Sequence, residues 1–402
     1  MKICGIICEY NPFHNGHKYH IERAKAISGC DAVLCIMSAS FTQRGEAAVL
    51  PKFLRAEHAV LGGADCVIQL PAAFSVAPAE AFAEGAVSIL SAIPEVCCLA
   101  FGCEKADKED ILKAAKILSG EQYNARLKAC LAGGESYKRA AVRALEECGG
   151  NAELISSPNG VLAVRYACSV LSRGGQIDIL PIERIGGGYS DEKLYSDFSS
   201  ASAIRAHIHE QSALKNVPDF VAEALSEIDT ACAKERWDAV ARYALISGGD
   251  KLKDVFGCSE GLENKLRGLR NRPSEEIIFE CTARRYTSSR IRRILAANVL
   301  KLYAADAKKY IEHGTYIKPL AVRESMKDKI FAALGKSALP LIVSMSDTRS
   351  LDDTARRCYL SDCLADEVRA DVFNTPCEYG YTVKIVPCLL YTSDAADDLT
   401  RV

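Results

Sequence analysis

The feature that most constrains this chain is a six-residue apolar run, Ile3 to Cys8, that ends at the polar residue Glu9. A short, continuous apolar run bounded by turn residues is typical of a strand buried in a parallel sheet. Asn11-Pro12 ends the strand, because proline has no backbone N–H and disfavours helical angles in the residue before it. A helix is then predicted to begin at Asn15-Gly16. The sequence therefore predicts a strand, a tight turn and a helix at the start of an α/β sheet.

The turn after this strand is a predicted anion site. Open α/β sheets bind ligands at the carboxyl ends of their strands, and the first N–H groups of a helix lack intrahelical partners. His14 and His17 lie three residues apart around the turn, so both imidazoles can donate hydrogen bonds to one phosphate group. Surface-loop histidines or a zinc site are the alternatives, but apart from Glu9 no cysteine or acidic partner lies at ligand spacing. The position directly after the first buried strand favours nucleotide binding.

Strand-like and helix-like segments alternate through the first half of the chain, which predicts a Rossmann-like, doubly wound parallel sheet. Past about residue 212 the strand patterns fade and helical patterns dominate, which marks a predicted domain boundary. The predicted strands are residues 3–8, 31–37, 65–71, 96–102 and 177–182, five in all. The predicted parts are an α/β domain (1–211), a mainly α-helical domain (212–387) and a tail interpreted as non-native (388–402).

Composition narrows the class of protein. A chain of 402 residues is long enough for two or three domains at roughly 150 residues each. The net charge of −2 argues against a generally basic nucleic-acid-binding surface, so any RNA contact requires a local patch. The 18 cysteines are scattered in apolar runs and no signal peptide is evident, so we expect small buried hydrophobes in a reducing cytoplasm and no metal. No apolar stretch approaches the roughly 20 residues that cross a bilayer, so no membrane partner is expected.

A second group of donors is predicted to face the two histidines. The segment from Ser199 to Arg205 follows the fifth predicted strand and begins a short helix. Serine hydroxyls and N–H groups at a helix start, together with an arginine, suit a phosphate group whose charge grows in a transition state. The alternative is an ordinary capped helix with one surface arginine, and the position at the same sheet edge favours the functional interpretation. The predicted catalytic residues are therefore His14, His17, Ser202 and Arg205.

Other residues at this edge can complete a nucleotide site. Gly102 follows the fourth strand, where the absence of a side chain allows a flat base to approach the backbone. Asn159 can contact a base edge, and Arg184 precedes the triple glycine 186–188, where a loop could fold it over the phosphates. The polar segment 38–46 can cover a small substrate or the ribose.

The helix predicted after segment 38–46 begins with two basic residues. Lys52 and Arg55 form either a solvated basic face or part of a substrate site. The pattern alone favours neither.

A basic segment lies in the predicted helical part. Residues 265–293 contain nine basic and three acidic residues, an excess of six positive charges in a chain that is slightly acidic overall. The arginines near its end surround Tyr286 and several hydroxyl side chains, a composition that suits phosphate contacts with one stacking ring. A solvated helix face is the alternative. The predicted RNA-binding residues are Arg284, Arg285, Arg290, Arg292 and Arg293.

These motifs together resemble the bacterial tRNA(Met) cytidine acetate ligase family, a branch of the HIGH-type nucleotidyltransferase superfamily. The resemblance rests on EYNPFHNGHKYH at residues 9–20 and on SASFTQRGEAAVLPKFLRAEHAVLGGADCVIQLP at residues 38–71. It continues with FGCE, SPNGVLAVRY, IERIGGGYSD, SSASAIR and RRYTSSRIRRIL in the family's order. It covers residues 1 to about 300, and after Tyr316 the chain departs from the family's glycine-containing pattern.

The resemblance implies a reaction, its ligands and a function for each predicted part: residues 1–211 would be a nucleotidyltransferase-like domain that binds ATP and acetate, and residues 212–387 would be an RNA-binding domain. Members of this family condense acetate with the exocyclic amine of the wobble cytidine of elongator tRNA(Met), through an acetyl-adenylate, and release AMP and diphosphate. The implied cofactor is ATP with Mg²⁺ as its counter-ion; the implied partners are acetate and elongator tRNA(Met), not DNA. The implied ATP contacts are Ile7, Cys8, Glu9, Tyr10, Asn11, Pro12, Phe13, His14, Asn15, Gly16, His17, Lys18, Tyr19, His20, Gly102, Asn159 and Arg184.

Two other functions remain alternatives. A small-molecule adenylyltransferase of the same superfamily would share the first domain but would not need the basic segment. An RNA-binding protein with a degenerate nucleotide site would not need His14, Gly16 and His17, all of which are present.

Overall fold

A central sheet organises the protein. The computed structural model describes residues 1–184, 194–195, 198–259, 261–283 and 286–387. Within these ranges seven strands form one sheet in the order β5-β4-β1-β2-β3-β6-β7. Their bounds are β1 (Ile3–Cys8), β2 (Ala32–Ser38), β3 (Cys66–Leu70), β4 (Val96–Cys103), β5 (Asp178–Glu183), β6 (Pro319–Arg323) and β7 (Lys384–Val386). The predicted α/β class, with a doubly wound and mostly parallel sheet, is confirmed.

The first five strands are parallel, as their apolar runs predict. In the register of β1, Ile7 pairs with Ile36 of β2 and Ile6 pairs with Ala100 of β4. Successive side chains point to opposite faces of the sheet, and both faces are covered. Ile3 and Ile7 belong to one hydrophobic core, whereas Ile6 belongs to the other. Burying one such side chain contributes roughly 1.5–3 kcal/mol, so the two cores stabilise the platform on which the turn after β1 rests.

Helices cover both faces of the sheet. Those of the first half are α1 (Asn15–Ser28), α2 (Lys52–Leu61), α3 (Ala72–Ser75), α4 (Ala79–Ser91), α5 (Lys108–Leu118), α6 (Glu121–Ala132), α7 (Tyr137–Glu147), α8 (Pro158–Ser172), α9 (Ala201–Ala206) and α10 (Gln211–Leu214). Those of the second half are α11 (Asp219–Ser226), α12 (Thr230–Ser247), α13 (Leu262–Gly268), α14 (Ser274–Cys281), α15 (Ser288–Val299), α16 (Ala304–His313), α17 (Lys327–Leu334) and α18 (Asp353–Phe373). None of the helices described here is long and apolar enough to cross a bilayer.

The second half also contributes to the sheet. Strand β6 pairs antiparallel with β3, and β7 pairs parallel with β6. These two strands were not predicted, because β6 has five residues and begins with Pro319, and β7 has only three residues. The division at residue 211 stays a prediction. Residues 186–188 and the tail 388–402 lie outside the described residues.

Two basic residues of α2 are buried inside the protein, and one of them, Lys52, joins the two halves. Lys52 Nζ donates to Asp366 Oδ2 of α18 at 2.5 Å and to Gln69 Oε1 of β3 at 2.8 Å. Arg55 donates to the carbonyl oxygens of Glu9 and Ser38 at 2.6 and 3.0 Å. Lys52 is 1% and Arg55 0% exposed. The alternative of a solvated basic face is therefore wrong: both cations satisfy buried acceptors beside the strand ends.

Candidate nucleotide site

A cleft of about 190 Å³ lies at the carboxyl ends of β1, β4 and β5, beside the first turns of α1 and α8. This is the edge at which the sequence predicted a ligand. The structure brings thirteen of the predicted nucleotide-site residues together as its lining: Ile7, Cys8, Glu9, Tyr10, Asn11, His14, Gly16, His17, Tyr19, His20, Gly102, Asn159 and Arg184.

His14 and His17 begin α1 through hydrogen bonds of their own rings. The N–H of Gly16 donates to His14 Nδ1 at 3.1 Å, and the N–H of His14 donates to His17 Nδ1 at 3.3 Å. The two rings stack with their centroids 3.6 Å apart and their planes inclined by 24°. A neutral imidazole whose Nδ1 accepts a hydrogen bond has its proton on Nε2. Each ring therefore offers an Nε2–H donor.

The histidines of the cleft are neutral near pH 7. Burial, followed by the positive charges of Arg184 and Arg205, lowers the pKa of His14 to about 3. Burial, followed by the neighbouring His14, holds the pKa of His17 well below its usual range. Burial and Arg184 lower the pKa of His20 to about 4. The three rings can therefore act as hydrogen-bond donors without positive charge.

Glu104 fixes the orientation of Asn159. Its carboxylate accepts from Asn159 Nδ2 at 2.6 Å and from the Ser157 hydroxyl at 2.6 Å. Burial raises the pKa of Glu104, but these hydrogen bonds and other contacts together lower it by more. The net pKa therefore lies below its usual range. Because the amide nitrogen is bound to Glu104, Asn159 offers its Oδ1, an acceptor, to a base edge. The sequence analysis did not assign a role to Glu104, although it lies in the FGCE motif.

Gly102 makes room for Arg184. A Cβ atom at residue 102 would lie 3.2 Å from Arg184 Cγ and 3.8 Å from its Cδ. The Arg184 N–H donates to the Cys103 carbonyl at 3.0 Å, which continues the β4–β5 pairing. The stem of Arg184 thus occupies space beside Gly102, and the predicted contact of Gly102 with a base stays a prediction.

Glu9 adds a carboxylate to the cleft. Burial raises the pKa of Glu9, while the Gln43 N–H and then Arg205 and Arg44 lower it. The Gln43 N–H donates to Glu9 Oε1 at 2.6 Å, which ties segment 38–46 to the end of β1. Gln43 itself lines the cleft.

Ser202 and Arg205 do not line the cleft as it is described. Ser202 is buried, and the cap of α9 is Ser200, whose Oγ accepts from the Ala203 N–H at 3.1 Å. Arg205 Nη1 donates to the Asn11 carbonyl at 2.7 Å, and its Nη2 lies 3.6 Å from the Glu46 carboxylate. Arg205 therefore holds the turn between β1 and α1, and the catalytic function of both residues stays a prediction.

Four of the predicted ATP contacts likewise lie away from the lining. Phe13 is fully buried, and a Cβ atom at Gly62 would lie 2.2 Å from its ring. Asn15 donates to the Lys215 carbonyl at 3.3 Å, and Lys18 is exposed. Pro12, which directly precedes Phe13, is also buried. Their predicted contacts with ATP stay predictions.

Aromatic and aliphatic side chains form one wall of the cleft. No sequence pattern predicted this wall. The rings of Phe101 and Tyr166 lie 5.6 Å apart, centroid to centroid. Phe101 lies on β4 and Tyr166 on α8, so their contact joins two elements that no local pattern relates. The wall consists of Phe82, Phe101, Leu162, Tyr166 and Ile182.

The predicted RNA-binding arginines that are described make contacts within the protein. Arg290 donates to the Gly257 carbonyl through Nε and Nη2, at 3.1 and 3.0 Å. Arg292 binds both carboxylate oxygens of Glu275, at 2.7 and 3.0 Å. Burial, followed by Arg290, lowers the pKa of Arg293 to about 10. Arg284 and Arg285 lie outside the described residues, and the RNA-binding function of all five stays a prediction.

Segment 38–46 packs directly against α15. Gly45 has a φ of 75°, and a Cβ atom there would lie 2.5 Å from the backbone of both Arg292 and Arg293. Arg293 Nη1 lies 3.4 Å from the Gln43 carbonyl, to which it donates. Gln43 therefore connects Glu9 in the cleft to the basic helix.

Comparison with known proteins independently supports the family resemblance. Residues 1–380 match the HIGH Nucleotidyl Transferase family. A protein named tRNA(Met) cytidine acetate ligase from Thermoanaerobacter sp. (strain X514) is 36% identical over 360 residues, which are 86% of this chain and 89% of that protein. Its namesake from Caldanaerobacter subterraneus subsp. tengcongensis is 34% identical over 385 residues, or 92% of this chain and 94% of that protein.

Two solved structures have a similar fold over nearly the whole chain. Apo Thermotoga maritima TmcAL (form I) superposes with a TM-score of 0.88 at 28% identity, covering 96% of this chain and 100% of that one. The same protein bound with alpha-thio ATP (form II) gives 0.86 at 27% identity and the same coverage. The chain therefore belongs to the HIGH Nucleotidyl Transferase family and, within it, to the tRNA(Met) cytidine acetate ligases.

Proposed function

We propose that this protein uses ATP to activate acetate as acetyl-adenylate and transfers the acetyl group to N4 of the wobble cytidine of elongator tRNA(Met). The observation that carries the proposal is the stacked pair of His14 and His17, whose ring geometry leaves two neutral Nε2–H donors at the start of α1. Support also comes from the relatives that bear the ligase name and from the similar structure described as bound with alpha-thio ATP. The proposed location is the cytoplasm, where ATP and tRNA occur.

We propose one orientation for ATP in the cleft. The wall around Phe101 and Tyr166 suits the adenine ring, and Asn159 Oδ1 can accept from its exocyclic amine. The phosphates then lie over the first turn of α1, where N–H groups and the two imidazoles donate. Arg184, whose positive charge lowers the pKa of His14, would place that charge beside the phosphates.

Mg²⁺ is proposed as the counter-ion of the triphosphate. It usually keeps several waters and binds through one or two carboxylates together with phosphate oxygens. Glu9 is a buried carboxylate in the cleft and provides a suitable hard donor. In that position the ion would neutralise phosphate charge.

The proposed reaction has two steps. An acetate oxygen attacks the α-phosphorus, the bond to the β-phosphate oxygen breaks, and diphosphate leaves. The cytidine N4 amine then attacks the acetyl carbonyl carbon, AMP leaves with the bonding electrons, and the amine loses a proton to solvent. In the first step His14 and His17 stabilise negative charge on the α-phosphate oxygens, as donors held in place before the reaction. Ser202 and Arg205 remain proposed contributors, Arg205 through its hold on the turn.

The two proposed domains have different functions. Residues 1–211 would bind ATP and acetate, and the helices after residue 212 would hold the tRNA backbone near the basic segment. Gln43 offers a physical connection, because it contacts both Glu9 and Arg293. This arrangement would place an RNA-bound cytidine beside the acetyl-adenylate.

Incubation with ATP, labelled acetate and bulk tRNA tests the proposal. Label should enter RNA, and nuclease digestion should yield N4-acetylcytidine. A His14→Ala, His17→Ala double variant that remains folded is the matched control and should incorporate no label. Acetate-dependent ATP consumption without labelled RNA would instead favour a small-molecule adenylyltransferase and would overturn the tRNA assignment.

A further inference from the structure

Three cysteine thiols converge at the edge of the sheet opposite the cleft. Cys30 precedes β2, and Cys97 and Cys98 lie at the start of β4. Cys30 Sγ is 3.5 Å from Cys97 Sγ and 3.7 Å from Cys98 Sγ, and all three sulfur atoms lie within 4.8 Å of one another. The nucleotide site uses none of them: Gly102, at the cleft end of β4, is four residues beyond Cys98, or about 13 Å along a strand.

A register shift explains how two adjacent strand residues reach the same thiol. The β1–β4 pairing passes from Ile3 with Val96 to Cys4 with Cys98, so Cys97 is an extra residue on β4. Adjacent strand side chains normally point to opposite faces, but an extra residue in one strand re-aims its neighbours. The left-handed Gly29, with a φ of 60°, ends α1 immediately before Cys30. The backbone thus brings three thiols together that no sequence spacing predicted.

The sulfur separations match those of a metal site. Tetrahedral zinc with Zn–S bonds of about 2.3 Å requires its sulfur ligands to lie about 3.8 Å apart. The two separations from Cys30 Sγ fall within a few tenths of an ångström of that value. Cys30 and Cys97 are only partly buried, so an ion can reach the site from solvent.

We propose that Cys30, Cys97 and Cys98 bind one thiophilic cation, such as Zn²⁺, at a site separate from the nucleotide cleft. Thiolates select soft and borderline cations. Each of the three thiols loses its proton to solvent as its sulfur–metal bond forms, and water completes the fourth position. Such a cation would fasten the α1–β2 connection to the start of β4. This inference does not depend on the proposed function, and it replaces the expectation that the cysteines serve only as buried hydrophobes.

Metal titration of the full chain tests the site. Protein purified under reducing conditions is stripped with a chelator and titrated with Co²⁺, a spectroscopic substitute for Zn²⁺. We expect a sulfur-to-cobalt charge-transfer band that saturates at one ion per chain, and a higher melting temperature with Zn²⁺. Cys30→Ser and Cys97→Ser should each abolish the band and the thermal shift. Cys232→Ser, a partly buried cysteine of α12 outside the cluster, is the matched control and should retain both.

Three results would overturn the proposal: a band that survives in Cys30→Ser and Cys97→Ser, saturation without a defined stoichiometry, or no band in the parent. A mass measurement showing that reduced-and-stripped protein spontaneously loses two hydrogens to form a Cys30–Cys97 disulfide in air, together with no metal binding, would assign the cluster to redox chemistry instead. Circular dichroism of each serine variant confirms that loss of the band is not loss of the fold.

Discussion

The imidazoles of His14 and His17 stack 3.6 Å apart while each Nδ1 accepts a backbone N–H of the same turn. This is a capping box built from histidines, in a position where serine and glutamate are common. The hydrogen bonds that begin α1 also select the tautomer with its proton on Nε2. The same two hydrogen bonds therefore begin the helix and prepare two donors for an anion.

Acidification should weaken the fold through its buried histidines. His20 has a pKa near 4 in the folded protein, below its ordinary value, so the unfolded chain binds a proton that the folded protein excludes. The associated loss of stability begins near the ordinary histidine pKa, grows as pH falls, and levels off below about 4. Between pH 7 and pH 5 it should amount to about 2 kcal/mol. Urea unfolding of the parent and of His20→Gln at several pH values measures it.

The pH dependence identifies the residue concerned. His20→Gln should have a shallower decline in the free energy of unfolding between pH 7 and pH 5. A replacement of the exposed His209 is the matched control and should leave the slope unchanged. Equal slopes in the parent and His20→Gln would show that His20 is not the group that titrates.

The buried ion pair between Lys52 and Asp366 should be essential to stability. Asp366→Ala leaves the ammonium group of Lys52 buried with Gln69 as its one described hydrogen-bond partner, and breaking a buried pair in this way typically costs 3–5 kcal/mol. Glu312→Ala removes the partner of an exposed pair with Lys308 and should cost about 0–1 kcal/mol. Chemical denaturation measures both, and similar losses in the two variants would contradict the structure.

Gly45 should tolerate no side chain. In Gly45→Ala the new Cβ meets the backbone of Arg292 and Arg293 at 2.5 Å, so one of the two segments must move, at a cost of about 1–3 kcal/mol beyond the conformational strain. Gly134→Ala is the matched control, because Gly134 has a similar φ of 82° but no atom within 4 Å of the new Cβ. Denaturation curves that show equal losses for both variants would mean that segment 38–46 does not pack closely on α15.

How much of the structure the sequence could predict depends on how far apart in the chain the interacting residues lie. The strand–turn–helix at the start of the chain depends on neighbouring residues, so its apolar run, Asn11-Pro12 and the two histidines predicted it directly. The burial of Lys52 could not be predicted, because its partner Asp366 is 314 residues away. Strand β7 has three residues and no pattern of its own. The cysteine cluster depends on one extra residue in β4, which leaves no trace in spacing.

Arg290 should affect tRNA binding without affecting adenylate formation. It is the best single test of the basic segment, since Arg292 pairs with Glu275 and Arg293 is largely buried. Arg290→Gln should weaken tRNA binding and reduce the log–log salt slope by about 0.7–0.9, the effect of one lost phosphate contact. Arg143→Gln removes an equal charge from an exposed residue of α7, outside the basic segment, that pairs with Glu147, and serves as the control.

The salt slope separates two interpretations of the segment. Filter binding over a range of salt concentrations should show a change for Arg290→Gln alone. An unchanged slope and affinity would make the arginines an ordinary helix surface. Equal loss of adenylate formation and tRNA binding would place Arg290 in the fold or the nucleotide site.

Acetate-dependent exchange of labelled diphosphate into ATP, measured without tRNA, tests the central claim most directly. The parent should catalyse exchange, because acetyl-adenylate formation is reversible and requires only ATP and acetate in the cleft. His17→Ala should reduce the exchange rate by about 10²–10³, the typical cost of losing one preorganised donor, while circular dichroism shows an intact fold. Absence of exchange in the parent, or a near-parental rate in folded His17→Ala, would contradict the assignment of this cleft.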